Sequence, residues 1–157
     1  MSLWTRGVVA SGCLLLIGCG PVEVDAPDLD RSDGAACAEF LDDLPATLNG
    51  QGTVEFEPSD APAAAYGDPA IVVVCGVDLP RGFGEAAHCE RAGGVDWYAP
   101  PEQYEDQEVD VTLTSVSHRP AVRLLVPDDY RPDGVAAALS QIADAVESNL
   151  EKVDECL

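Results

Sequence analysis

The chain has 157 residues, 46% of them hydrophobic, enough for one domain with a core of its own, and 29 acidic against 8 basic side chains give a formal net charge of -21. Such a surface repels polyanions and offers no basic stripe to release counterions, which excludes nucleic acid as a partner and opposes docking on anionic lipid heads. The acids are scattered along the whole chain rather than gathered in one loop, the pattern of a solvated surface.

The first element is a leader. Arg6 precedes an apolar run from Gly7 to Ile17 that closes on Leu16-Ile17-Gly18-Cys19, a tetrad that resembles the lipobox of bacterial lipoproteins. A positive start, an apolar centre and a small residue before the cut describe a secretory signal. As a helix this run would cover roughly 16 Å at ~1.5 Å per residue, about half of the ~30 Å a bilayer core demands. Residues 1–18 are therefore expected to be a signal peptide, with Cys19 as the first mature residue and the site of lipidation. The mature part keeps seven of the eight basic residues and all 29 acids, a net charge of about -22, and its only lysine is Lys152. Acyl chains on Cys19 would then hold the protein to the extracytoplasmic face of the cell membrane, since two or more chains give stable attachment where one does not.

Residues 19–31 combine Pro21 and Pro27 with several aspartates and are expected to form a short acidic tether or, through Val22 and Val24, an edge strand. Residues 32–157 are expected to be a single α+β domain. Ser32 can cap a helix with Cys37, Phe40, Leu41 and Leu44 on one face, ended by Pro45. Thr53 to Glu57 alternates, and Ala70 to Cys75 is a continuous apolar run suited to the centre of a sheet. From Leu79 to Gln107 glycine, proline and charge dominate, with Val95 to Tyr98 as a short extended piece. Val109, Val111 and Leu113 face one way, Ser117-His118-Arg119-Pro120 turns the chain, and Val122, Leu124 and Val126 return it as a hairpin. A final amphipathic helix from about Pro132 to Leu150 carries Val135, Leu139, Ile142, Val146 and Leu150 on its apolar stripe. The expected fold class is α+β, a small antiparallel sheet with an N-terminal and a C-terminal helix packed on one face.

With Cys13 lost in the leader and Cys19 acylated, Cys37, Cys75, Cys89 and Cys156 remain for disulfides in an oxidising compartment. Three connectivities are open, and Cys75 with Cys89 plus Cys37 with Cys156 is the favoured one. No C-x-x-C is present and His88 merely adjoins Cys89, so zinc is not expected. Asp28, Asp30, Ser32 and Glu39 match positions 1, 3, 5 and 12 of a calcium loop, but Asp33 stands where glycine is required, and a helix start explains the same residues. His88 and His118 lack the surroundings of a nucleophilic triad, and no G-x-S-x-G elbow occurs. The sequence implies no cofactor, no metal and no catalytic residue. Trp97 and Tyr98, with Pro100, Pro101 and Tyr104 nearby, form the candidate binding surface, with packing as the alternative role. Adjacent acids such as Asp128 and Asp129 are weaker candidates for glycoside chemistry.

Three ordered stretches, Tyr66-Gly67-Asp68-Pro69-Ala70-Ile71-Val72-Val73-Val74-Cys75-Gly76-Val77, Gly94-Val95-Asp96-Trp97-Tyr98, and Arg119-Pro120-Ala121-Val122 with Val126-Pro127, resemble an actinobacterial family known as domain of unknown function 3515. The resemblance runs from about Val22 to Cys156. It implies a secreted or lipidated envelope protein and carries no catalytic residue with it. The expectation that results is a membrane-anchored, non-catalytic lipoprotein that binds or scaffolds a cell-envelope component. The alternative is an envelope enzyme acting on wall glycan or peptide through paired carboxylates.

Overall fold

The computed structural model describes residues 20–84, 87–131, 133–153 and 156. The expected signal peptide and Cys19 lie outside the described residues. The chain opens with β1 (Val22–Glu23), then α1 (Arg31–Asp42), the two-residue strands β2 (Thr47–Leu48), β3 (Gln51–Gly52) and β4 (Phe56–Glu57), and the longer β5 (Ala63–Tyr66) and β6 (Ile71–Val77). It continues through β7 (Glu90–Ala92), β8 (Val95–Tyr98), the short helix α2 (Pro101–Glu105), β9 (Val111–Ser115), β10 (His118–Arg119) and β11 (Ala121–Val126). A 3-10 turn at Asp128–Tyr130, α3 (Asp133–Asn149) and β12 (Glu151–Lys152) complete it.

Six strands form one antiparallel sheet in the order β5-β6-β11-β9-β8-β7. The alternation that predicts the β9–β11 hairpin also sets its register, pairing Leu124 with Leu113 and Val126 with Val111. Ile71, Val73 and Cys75 of β6, Val122, Leu124 and Val126 of β11, and Val111 and Leu113 of β9 all point into one buried cluster. Phe40 from α1 and Leu139, Ile142 and Val146 from α3 close that cluster from the other side. Gln141, Asp144 and Glu147 remain exposed on the far side of α3, as its 3.6-residue period requires.

Several expectations are corrected. The sheet is not small: β5, β7 and β8 join three of the four strands read from the sequence, whereas β4, from the expected strand at Thr53 to Glu57, pairs with β1 outside it, and a third helix, α2, is present. The strand from Ile71 lies second from one edge, and β11 and β9 occupy the centre. Of the two expectations for residues 19–31, tether or strand, the described residues take the strand at Val22. Val22 and Val24 donate their amides to Glu55 and Glu57, β1 runs parallel to β4, and Val24 is buried. Ser32 is not the cap of α1. Asp30 is, accepting bonds from the Ser32 and Asp33 amides at 2.8 and 2.9 Å, because it stands one residue before the first helical position and a carboxylate satisfies two free N–H groups there.

The four cysteines are the expected ones, but the pairing is Cys37–Cys75 and Cys89–Cys156. Sheet order decides this. The buried face of α1 sets Cys37 directly over the end of β6, and Cys89, just before edge strand β7, meets the C-terminal segment as it leaves α3 and β12. The closed loops span 38 and 67 residues, and each is worth about 4 kcal/mol in the chain-entropy model. Peptide mapping without reductant should recover these two linked pairs. Replacing Cys37 and Cys75 together by alanine should lower the unfolding free energy by about 4 kcal/mol in urea titrations. Recovery of a Cys75–Cys89 peptide would contradict the sheet order described.

Candidate functional site

Trp97 and Tyr98 do not form a contact surface. Trp97 has no exposed area and Tyr98 is 5% exposed, because β8 is an inner strand flanked by β9 and β7 rather than a piece of an irregular insert. Trp97 enters the cluster beneath the helices. Tyr98 turns to the opposite face, where Phe83 meets its ring edge-on at 5.5 Å between centroids. Beside them a hollow of about 530 Å³ is lined by Gly82, His88, Tyr98, Pro101 and Tyr104, so the aromatic region contributes walls rather than a protruding platform. Tyr104 is 41% exposed.

Ser117 to Pro120 do connect β9 to β11 as expected, but Ser117 and His118 are buried there in a polar knot. Asp96, 2% exposed, accepts from Arg91 Nε at 2.6 Å and Nη2 at 3.0 Å and from the Cys156 amide at 2.9 Å. The Asp96 amide donates to Ser117 Oγ at 2.9 Å, and Ser117 Oγ lies 3.1 Å from His118 Nδ1. A serine, a histidine and an aspartate are thus close together, but Ser117 is fully buried, His118 is 1% exposed, and the Asp96 carboxylate points to Arg91 and Cys156 instead of to the imidazole. The knot fastens the C-terminal segment to β8; it is not arranged to attack a substrate. The Arg91 guanidinium holds the Asp96 carboxyl below the usual carboxylate range against the opposing effect of burial, with the Cys156 amide adding to it. Burial likewise holds the His118 imidazole below its ordinary 6.5, helped by Lys152 and Arg119 and opposed by Glu147 and Asp96.

His88 is exposed on the rim of the aromatic hollow. Asp30, one of the acids of the near-miss calcium loop, is occupied as a helix cap, and no group of three or more metal-ligating side chains forms among the described residues. Asp128 and Asp129 stand exposed on a single 3-10 turn.

The sheet face away from the helices presents a second hollow, which the residue patterns did not single out. About 410 Å³ in volume, it is floored by Val72, Val74, Arg123 and Leu125, with Glu23 and Asp25 on its rim. Arg123 lies mid-strand in β11, in register with Val74 on one side and Thr114 on the other. One signal pointed to it: a lone charge inside Ala121-Val122-Arg123-Leu124-Leu125-Val126, a strand otherwise apolar on both faces. Asp96 carries the same signal within Val95 to Tyr98.

The arrangement defines a class: a disulfide-stapled α and β domain whose helices cover one sheet face and leave a hollow of ligand size on the other. The profile of the family described as "Protein of unknown function (DUF3515)" matches residues 8–154, and the chain belongs to that family. Comparison with curated proteins and with solved structures finds no match.

The buried imidazole has a consequence for pH. The unfolded chain takes up the His118 proton near 6.5, before the folded chain does, so stability falls as pH drops below that value and levels off once the folded imidazole is also protonated. Asp96 acts in a lower window, its contribution being present above 3.8 and lost only as pH falls through its depressed folded value. Thermal melts between about pH 8 and about pH 5 should show the native midpoint declining through the first window and His118→Gln flattening that decline. Parallel native and variant profiles would assign the slope to other groups.

Proposed function

We propose that the protein is an actinobacterial lipoprotein, exported, acylated at Cys19 and held at the extracytoplasmic face of the membrane, where its domain binds a cell-envelope component without catalysing a reaction. The observation that carries this reading is that all four cysteines beyond Cys19 are joined in disulfides, a chemistry that persists in oxidising compartments. It agrees with the leader ending at Leu16-Ile17-Gly18-Cys19. Among the described residues no helix is long and apolar enough to cross a membrane, so attachment in this reading falls to the acyl chains. Two residues, Gly20 and Pro21, separate Cys19 from the docked Val22, a reach of about 10 Å over three Cα steps, which would keep the body close to the bilayer while its negative charge faces outward.

The binding role is supported by the two hollows, and the absence of catalysis by the burial of Ser117 and His118 beyond substrate reach. The carboxylate-enzyme reading has less behind it. Glu23 and Asp25 share the sheet-face hollow, but they stand two residues apart on one segment, whereas glycoside hydrolysis sets its two acids across the scissile bond from each other.

Metabolic labelling with a fatty-acid analogue tests the anchor. The native chain should carry label and sediment with membranes, and Cys19→Ala should do neither. Equal label in both would remove the anchor from the account.

A further inference from the structure

We propose that the hollow on the open sheet face binds a small zwitterion, an amino acid or a short peptide, with its carboxylate on Arg123 and its ammonium between Glu23 and Asp25. This rests on the binding role proposed above and supplies the ligand class. Among the described residues, the side chains of Arg123, Glu23 and Asp25 make no hydrogen bond or ion pair with one another or with any neighbour, although all three line the same hollow. Arg31 and Arg81 likewise make no such bond, but they are exposed, whereas Arg123 is half-buried. The chain has 29 acids, yet this half-buried residue, flanked by Val74 and Thr114, has been left without one among the described residues. Arg91, by contrast, grips Asp96, and Arg119 and Arg131 donate to main-chain carbonyls.

A guanidinium presents five donors in a fixed fork that matches a carboxylate, and its attraction grows as water is excluded from around it. A simple anion would have to approach against the field of a molecule with net charge -21. A zwitterion carries no net charge, so the field does not oppose it. Its cationic end also finds a counterpart, because Glu23 and Asp25 face the hollow on either side of buried Val24. Val72 and Leu125, in register on the adjoining strands, offer an apolar floor for an aliphatic side chain. A volume of about 410 Å³ limits the guest to something small.

Calorimetric titration of the full chain with alanyl-alanine tests this, alongside its N-acetylated form, which lacks the ammonium, and its C-terminal amide, which lacks the carboxylate. The free dipeptide should bind saturably, and each blocked form at least about tenfold more weakly. Arg123→Gln should weaken the dipeptide by about tenfold or more, and Arg123→Lys, which keeps the charge but not the fork, by less. Glu23→Gln with Asp25→Asn should weaken the free dipeptide several-fold and leave the acetylated form unchanged. No saturable binding of alanyl-alanine or alanine up to roughly 10 mM would overturn the proposal, as would unchanged affinity in folded Arg123→Gln. Equal binding of the acetylated form would overturn the role given to Glu23 and Asp25. Cys19→Ala should titrate like the native chain. A failed titration therefore leaves the anchor standing, and a failed labelling experiment leaves the hollow standing.

Discussion

Everything in this domain is organised around the covering of one sheet face by two helices. The inner side chains of β6, β11, β9 and β8 need a second layer to bury them, and α1 and α3, packed against each other, supply it. Alanines 138, 143 and 145 of α3 and the large Trp97 and Phe40 all share the cluster between helices and sheet, small and large side chains filling it together. The turn between β7 and β8 shows how tight this contact is. Gly93 and Gly94 both have positive φ, and a Cβ on Gly93 would collide with that of Ala143. The Cys37–Cys75 bond then joins the shorter helix to the sheet covalently.

Because both helices of any length lie on that side, the opposite face is left to small coverings. The N-terminal segment lays Val24 beside Val74, and Phe83 shields Tyr98 at the other end. Between them the floor stays open, and the unpaired Arg123 is in its middle. Two roles are thus divided between two faces of one sheet. The covered face supplies stability, and the open face carries the polar groups that stability does not use. The Asp96 knot belongs to the first role despite its catalytic-looking composition, since each of its groups is spent on holding the C-terminal segment.

Local patterns carried much of the fold. The stripe of α3 and the alternation of Val111, Leu113, Val122 and Leu124 are properties of a few consecutive residues, and the structure keeps both. What was not legible depends on partners distant in sequence. Val95 to Tyr98 reads as an isolated fragment until β9 and β7 are placed beside it, and the fate of Trp97 follows from that placement. Disulfide pairing is non-local in the same way, as Cys75 is nearer in sequence to Cys89 but nearer in space to Cys37. Some information was present and unread. Asn49-Gly50, with φ of 51° and 77°, makes the tight turn between β2 and β3 that this dipeptide favours. The lone arginine of β11 belongs with it.

The docking of β1 on β4 reaches beyond the fold. A body held by a long flexible linker samples many orientations and heights. Here the strand that would follow an acylated Cys19 is stitched to the body almost at once, and the same strand supplies Glu23 to the mouth of the hollow. With Cys19 acylated as proposed, such a mooring would fix which way the mouth looks and how far above the lipid it stands, so that whatever enters would have to be presented at a single height.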